Sequence, residues 1–188
     1  MPILDWLLSQ NASTVFAAQW ADLRRLLYPP RDLEDRIIRA VELYPCDLLF
    51  VHRDAEREAR STRVDEIQAA LGPDPPAVCV VPVRMQEAWL LFNEPALREA
   101  AGNPNGRNTL SLPPPTRVEA APDPKSILHR ALIDASGLRG RRRRQFPVNE
   151  RVHRLATLLE DFSALRKLSA FDALEQDVLR VLTEQGWA

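Results

Sequence analysis

The 188-residue chain is 45% hydrophobic and 27% charged, with 25 Lys and Arg against 26 Asp and Glu and a formal net charge of −1. That balance describes one ordinary globular domain with a real core, and it excludes a chain drawn to nucleic acid or membrane by overall charge. Its two cysteines, Cys46 and Cys79, have no CxxC partner, and no apolar run approaches the roughly 18 residues that cross a bilayer, so the expectation is a cytoplasmic protein with free thiols and no membrane partner.

The opening PILDWLLSQN places Ile3, Leu4, Leu7 and Leu8 at helical spacing and stops at Asn11. Over Thr14 to Trp20, Thr14, Val15 and Phe16 favour a strand and the alanines that follow favour a helix; the reading is a short strand leading into a turn before Pro29 and Pro30. In RDLEDRIIRAVELY, Asp32 is the N-cap of a helix whose apolar face is Leu33, Ile37, Ile38 and Val41, ending before Pro45. Next, DLLFVHRDAERE runs four apolar residues, Leu48 to Val51, into His52, Arg53, Asp54 and Glu56, as a strand buried on both faces of a parallel sheet does. A helix from about Ala55 to Leu71 follows, closed by Gly72 and a PDPP turn. The run AVCVVPV, Ala77 to Val83, repeats the pattern and breaks into Arg84, Gln86 and Glu87 where the helix MQEAWLLFNEPALREAA begins. Strand, helix, strand is a right-handed crossover with parallel strands, which brings Asp54 and Glu87 to one sheet edge.

Residues 102–124 are too rich in proline and polar residues for a packed element, and a loop of that length is usually functional or mobile. Helical sequence resumes at DPKSILHRALIDASG, with Asp123 as cap and Ile127, Leu128, Ala131 and Leu132 as the buried stripe. A basic hinge, RGRRRRQF, leads to two amphipathic stretches, 149–168 and 170–184. The chain thus divides into an α/β core (1–101), a proline-rich loop (102–124) and a helical C-terminal part (125–188) packed on the core.

In an open α/β sheet, ligands sit beyond the carboxyl ends of the strands. An Asp-x-Glu pair leaving a strand can point two carboxylates at one divalent ion, and a third acid from the next strand end would complete an oxygen-rich site for magnesium or manganese; Asp54, Glu56 and Glu87 are placed for that. On spacing alone the same acids are more simply explained as helix-start residues complementing the macrodipole, which needs no metal. The stretch LRGRRRRQF carries Arg139, Arg141, Arg142, Arg143 and Arg144, which either track a phosphate backbone or form a solvated loop. His52 reads as a hydrogen-bonded structural histidine ahead of a metal ligand, and Trp89 as core ahead of a ligand contact. No Walker, Gly-x-Gly-x-x-Gly or Gly-x-Ser-x-Gly motif is present, which removes the usual support for nucleotide hydrolysis and acyl transfer.

Taken together, HRDAE after a buried strand, VPVRMQEAWLL after the next, then DPKSIL and a helical tail with LRKLSAFDAL resemble a bacterial family catalogued only as a domain of unknown function. That family is TOPRIM-like, related to the nuclease domain of the overcoming-lysogenization-defect proteins, and often encoded beside ATPases in phage-defence gene clusters. The resemblance implies a TOPRIM-like α/β parallel sheet flanked by helices, a magnesium or manganese ion, and cleavage of nucleic acid, DNA ahead of RNA, or a related phosphoryl transfer. It puts Asp54 and Glu56 in the place of the metal-binding Asp-x-Asp pair, Glu87 as a further ligand or catalytic base, and Lys125 against the scissile phosphate; a lysine at that helix start is also simply solvated. A TOPRIM domain normally opens with a strand ending in Glu-Gly, and this sequence has MPILDWLLSQ, the look of the helix after it, in that place. The expectation is therefore that either the reading frame extends upstream to supply that strand and its glutamate, or the sheet lacks its first strand, and with it the glutamate the activity would rest on, leaving an edge for a partner or a second copy to cover. Two other readings follow: a non-catalytic TOPRIM-like binding or regulatory subunit of an ATPase-containing complex, and a small-molecule phosphotransfer enzyme using the same ion.

Overall fold

The computed structural model describes residues 2–188. Among them are two parallel strands and eight α-helices, an α/β arrangement. Helix α1 (Pro2–Asn11) buries Ile3, Leu4, Leu7 and Leu8 as their spacing predicts, and Asn11 closes it by donating from Nδ2 to the Leu7 carbonyl at 2.8 Å. In α2 (Leu33–Leu43) the Asp32 carboxylate accepts from the Asp35 N–H at 2.8 Å, the expected cap. Strands β1 (Leu49–His52) and β2 (Ala77–Val80) run parallel in register from Leu49 opposite Ala77 to His52 opposite Val80, with α3 (Arg60–Ala70) as the crossover. Beneath them Val51, Ala55, Cys79 and Val81 pack with Ile37 of α2 and Ile67 of α3. The remaining helices are α4 (Glu94–Ala100), α5 (Pro124–Ala135), α6 (Gly140–Arg144), α7 (Val148–Leu158) and α8 (Ser169–Glu184).

The chain forms two compact units, residues 3–81 with 173–188, and residues 82–172. The first holds the sheet. There the Cys79 N–H, on the edge of β2 away from β1, donates to the Asp177 carboxylate at 3.2 Å, so a side chain from α8 takes the place of a third strand. In the second unit Trp89 is fully buried, its ring edge-on to Phe171 at 5.7 Å, and its indole N–H donates to Glu119 at 3.1 Å. Glu119 also accepts from the Ser169 hydroxyl (3.2 Å) and the Ala170 N–H (3.3 Å), capping the start of α8.

Several expectations are corrected. Thr14 to Trp20 form no strand: no neighbouring strand offers a ladder, Val15 is 96% exposed, and only Phe16 is anchored, edge-on to Trp187 at 5.5 Å. β1 is not covered on both faces; Leu49 and Phe50 are half-buried and only Val51 is buried. The helix expected from Ala55 starts at Arg60, because buried Ala55 anchors a turn in which the Glu58 N–H bonds back to the Ala55 carbonyl. The helix expected through MQEAWLLFNEPALREAA is a 3-10 turn, Gln86–Leu90, followed by α4, since Asn93 caps the Ala96 N–H and Pro95 has no N–H to continue the ladder. The stretch 149–168 likewise ends at Leu158, before Asp161 folds back onto the N–H and hydroxyl of Ser163. Within 102–124, residues Pro115–Ala120 form a 3-10 turn that buries Val118 and Glu119. The basic hinge is the short helix α6.

Candidate functional site

The turn after β1, in the first unit, is where chemistry-bearing side chains gather. The Arg53 N–H still pairs with the Val80 carbonyl at 3.1 Å, so Asp54 is the first residue past the parallel ladder. His52 and Asp54, two apart, share a side, and His52 Nε2 lies 3.3 Å from Asp54 Oδ1; about a third of each side chain is exposed. His52 is thus a partner of the acid. Glu56 is exposed and holds φ at 55°, the left-handed region that a non-glycine residue enters at a cost.

This placement bears on why the acids are there. Helix α3 begins four residues after Glu56, has no acid in its first turn, and its N-cap Ala59 offers no side-chain hydrogen bond. The macrodipole field falls off within one turn, so Asp54 and Glu56 are not explained as helix-start acids.

Behind the turn stands a network that the sequence pattern does not announce. Arg63 Nη1 donates to both Glu66 oxygens at 2.7 and 2.8 Å, and Arg53 Nη2 reaches the same carboxylate at 3.5 Å. The Arg63 hydrogen bond holds the Glu66 carboxyl below its ordinary 4.5, with the charges of Arg63 and Arg53 adding to it. The Arg63–Glu66 spacing of three on a helix was the available signal; Arg53 joining it needed the fold.

As a donor set the turn suits a hard cation: carboxylate oxygens without thiolate, the thiol of Cys79 being buried and pushed up to about 11 by that burial and by the nearby Asp177 charge. Magnesium commonly takes only one or two protein carboxylates, keeping waters and adding substrate phosphates, and Asp54 and Glu56 are the carboxylates this turn could offer to such a partial shell. The turn is not an all-protein cage: among the described residues, no group of three or more His, Cys, Asp or Glu side chains is arranged around a common ion position.

The other expected site residues belong to the second unit. Glu87 is half-buried in the 3-10 turn after the second strand. Lys125 is exposed at the second position of α5, next to the Asp123 cap. Arg139, Arg141, Arg142, Arg143 and Arg144 are all exposed on and before α6; Arg143 pairs with Asp134 at 2.8 Å, and among the described residues the other four have no ion-pair partner. No helix of the described residues is long and apolar enough to cross a membrane.

Compared with protein-family models, curated proteins and solved structures, the chain matches none.

Proposed function

We propose that this chain is a magnesium- or manganese-dependent, TOPRIM-like protein that cleaves or transfers a phosphodiester of nucleic acid, DNA ahead of RNA, within a bacterial defence-type system. The observation that carries the reading is the pair Asp54 and Glu56 on a strained turn at the carboxyl end of a parallel strand, where no helix start accounts for them. When bound, the ion supplies Lewis acidity at the phosphate and a more acidic water. The residues of the chain orient and neutralise: His52 fixes the rotamer of Asp54, and Glu56 presents its carboxylate from a backbone held in the left-handed region. For the second unit, taken by itself, the same reading gives Glu87 a ligand or base role, Lys125 a role in steadying phosphate charge, and the exposed arginines on and before α6 contact with the nucleic-acid backbone. The test is Asp54→Ala, assayed for manganese binding by calorimetry and for nicking of supercoiled DNA, with circular dichroism as the folding control. Loss of both with the fold retained supports the role; equal nicking removes the acidic pair from the mechanism.

A second reading, a binding or regulatory subunit of an ATPase-containing complex, is favoured by the engagement of Asp54 with His52 and by the absence of a three-acid group among the described residues. It expects no nicking with either metal, and co-purification with the product of an adjacent ATPase gene.

A further inference from the structure

We infer that Arg53 and Arg63 form a clamp for a nucleic-acid phosphate beside the Asp54–Glu56 turn, with the Glu66 carboxylate seated where that phosphate binds. The inference rests on the phosphodiester reading above and deepens it by assigning the substrate's anionic contact to this site. The geometry is that of an anion site already filled from within. Two guanidinium groups, one leaving the carboxyl end of β1 and one on the first turn of α3, converge on a single carboxylate at 2.7 to 3.5 Å. Guanidinium groups recognise carboxylate and phosphate by the same donor geometry, so a residue that satisfies one marks a place for the other.

The second guanidinium, from Arg53, separates this from an ordinary helix-surface ion pair such as Arg98 with Glu94. The Arg63 side chain is only 17% exposed, so its guanidinium is held in place by packing as well as by Glu66. Glu66 is the more accessible partner at 39% exposed, so a competing anion can displace it into solvent. The local charge also ties the clamp to the cation: Glu56 and Glu58 both lie within electrostatic reach of Arg63 and repel a phosphate until a cation neutralises them. Phosphate binding here is therefore expected to strengthen with a divalent ion.

The test uses the full chain, a fluorescein-labelled single-stranded DNA oligonucleotide read by anisotropy with and without calcium, and calorimetric titrations of calcium and of manganese, each without the oligonucleotide. Arg53→Ala and Arg63→Ala are expected to weaken oligonucleotide binding by about tenfold each, the factor for losing one charge-assisted hydrogen bond, while calcium binding is unchanged. Arg63→Lys keeps the charge and guards against an unfolded alanine variant; it too loses most of the affinity, because an ammonium cannot reproduce the fork. Glu66→Gln is expected to act in the opposite direction and tighten binding several-fold, since the internal competitor loses its charge. If Glu66→Gln weakens binding as the arginine variants do, or if the arginine variants bind like the wild type, the three residues are a structural strut and the clamp is wrong. If neither calcium nor manganese binds the wild type but the arginine and glutamine variants still move oligonucleotide affinity in opposite directions, the clamp stands and the metal reading falls.

Discussion

Replacing Glu56 separates backbone strain from carboxylate chemistry, because glycine and alanine both remove the acid but only glycine relieves the turn. A residue with a Cβ in the left-handed region costs about 1–2 kcal/mol relative to its relaxed conformation. Glycine avoids that cost but gives back about 0.5–1 kcal/mol through the larger freedom of its unfolded chain. Glu56→Gly is therefore expected to be more stable than Glu56→Ala by about 1 kcal/mol, which for a chain of this size is a difference of about 2–4 °C in Tm. Thermal unfolding by circular dichroism measures the difference, and calorimetric titration of manganese on the same two proteins measures what the carboxylate contributes. Both variants are expected to lose manganese binding to the same degree. Equal Tm values would refute the claim that the turn is strained, and wild-type affinity in either variant would refute Glu56 as a ligand.

Trp89→Phe is expected to destabilise the protein by about 3 kcal/mol in urea unfolding, combining a lost hydrogen bond to a carboxylate with the void left by the smaller ring; Ser169→Ala, which removes a weaker donor to the same Glu119, is expected to cost about 1 kcal/mol. Replacing Arg139, Arg141, Arg142 and Arg144 together by Gln is expected to weaken oligonucleotide binding and to flatten its dependence on salt, whereas Arg143→Gln alone, which loses a residue already paired to Asp134, is expected to change the salt slope least. The Ser126 N–H, bonded to the Asp123 carboxylate at 2.9 Å, holds that carboxyl below its ordinary 3.8. A depressed folded-state pKa contributes stability above the unfolded value that is lost as pH falls through the folded one. Acid titrations of wild type and Asp123→Asn, whose amide oxygen keeps the cap without titrating, are expected to part at neutral pH and converge below about pH 3.8.

The candidate site was legible in part. Asp54, Glu56 and their place beyond a parallel strand follow from an apolar run breaking into acids, a local pattern. The late start of α3 was not legible, because Ala55 to Ala59 are all strong helix formers and the turn that overrides them is set by burial of Ala55 in the core. Nor was the meeting of Arg53 and Arg63 on Glu66, which joins a strand end to a helix face.

By itself the sequence determined the helices capped by Asp32 and Asp123, the two strands and their parallel sense. A cap acts over three residues of backbone, and a short crossover leaves one hand, so both are written in neighbouring positions. Only the tertiary structure decided that β2 ends its sheet against Asp177, 98 residues beyond Cys79, and that residues 173–188 return to the unit holding the strands. Contacts so far apart in the chain are selected by shape and by satisfying a buried N–H, and no periodicity along the sequence encodes which distant side chain does it.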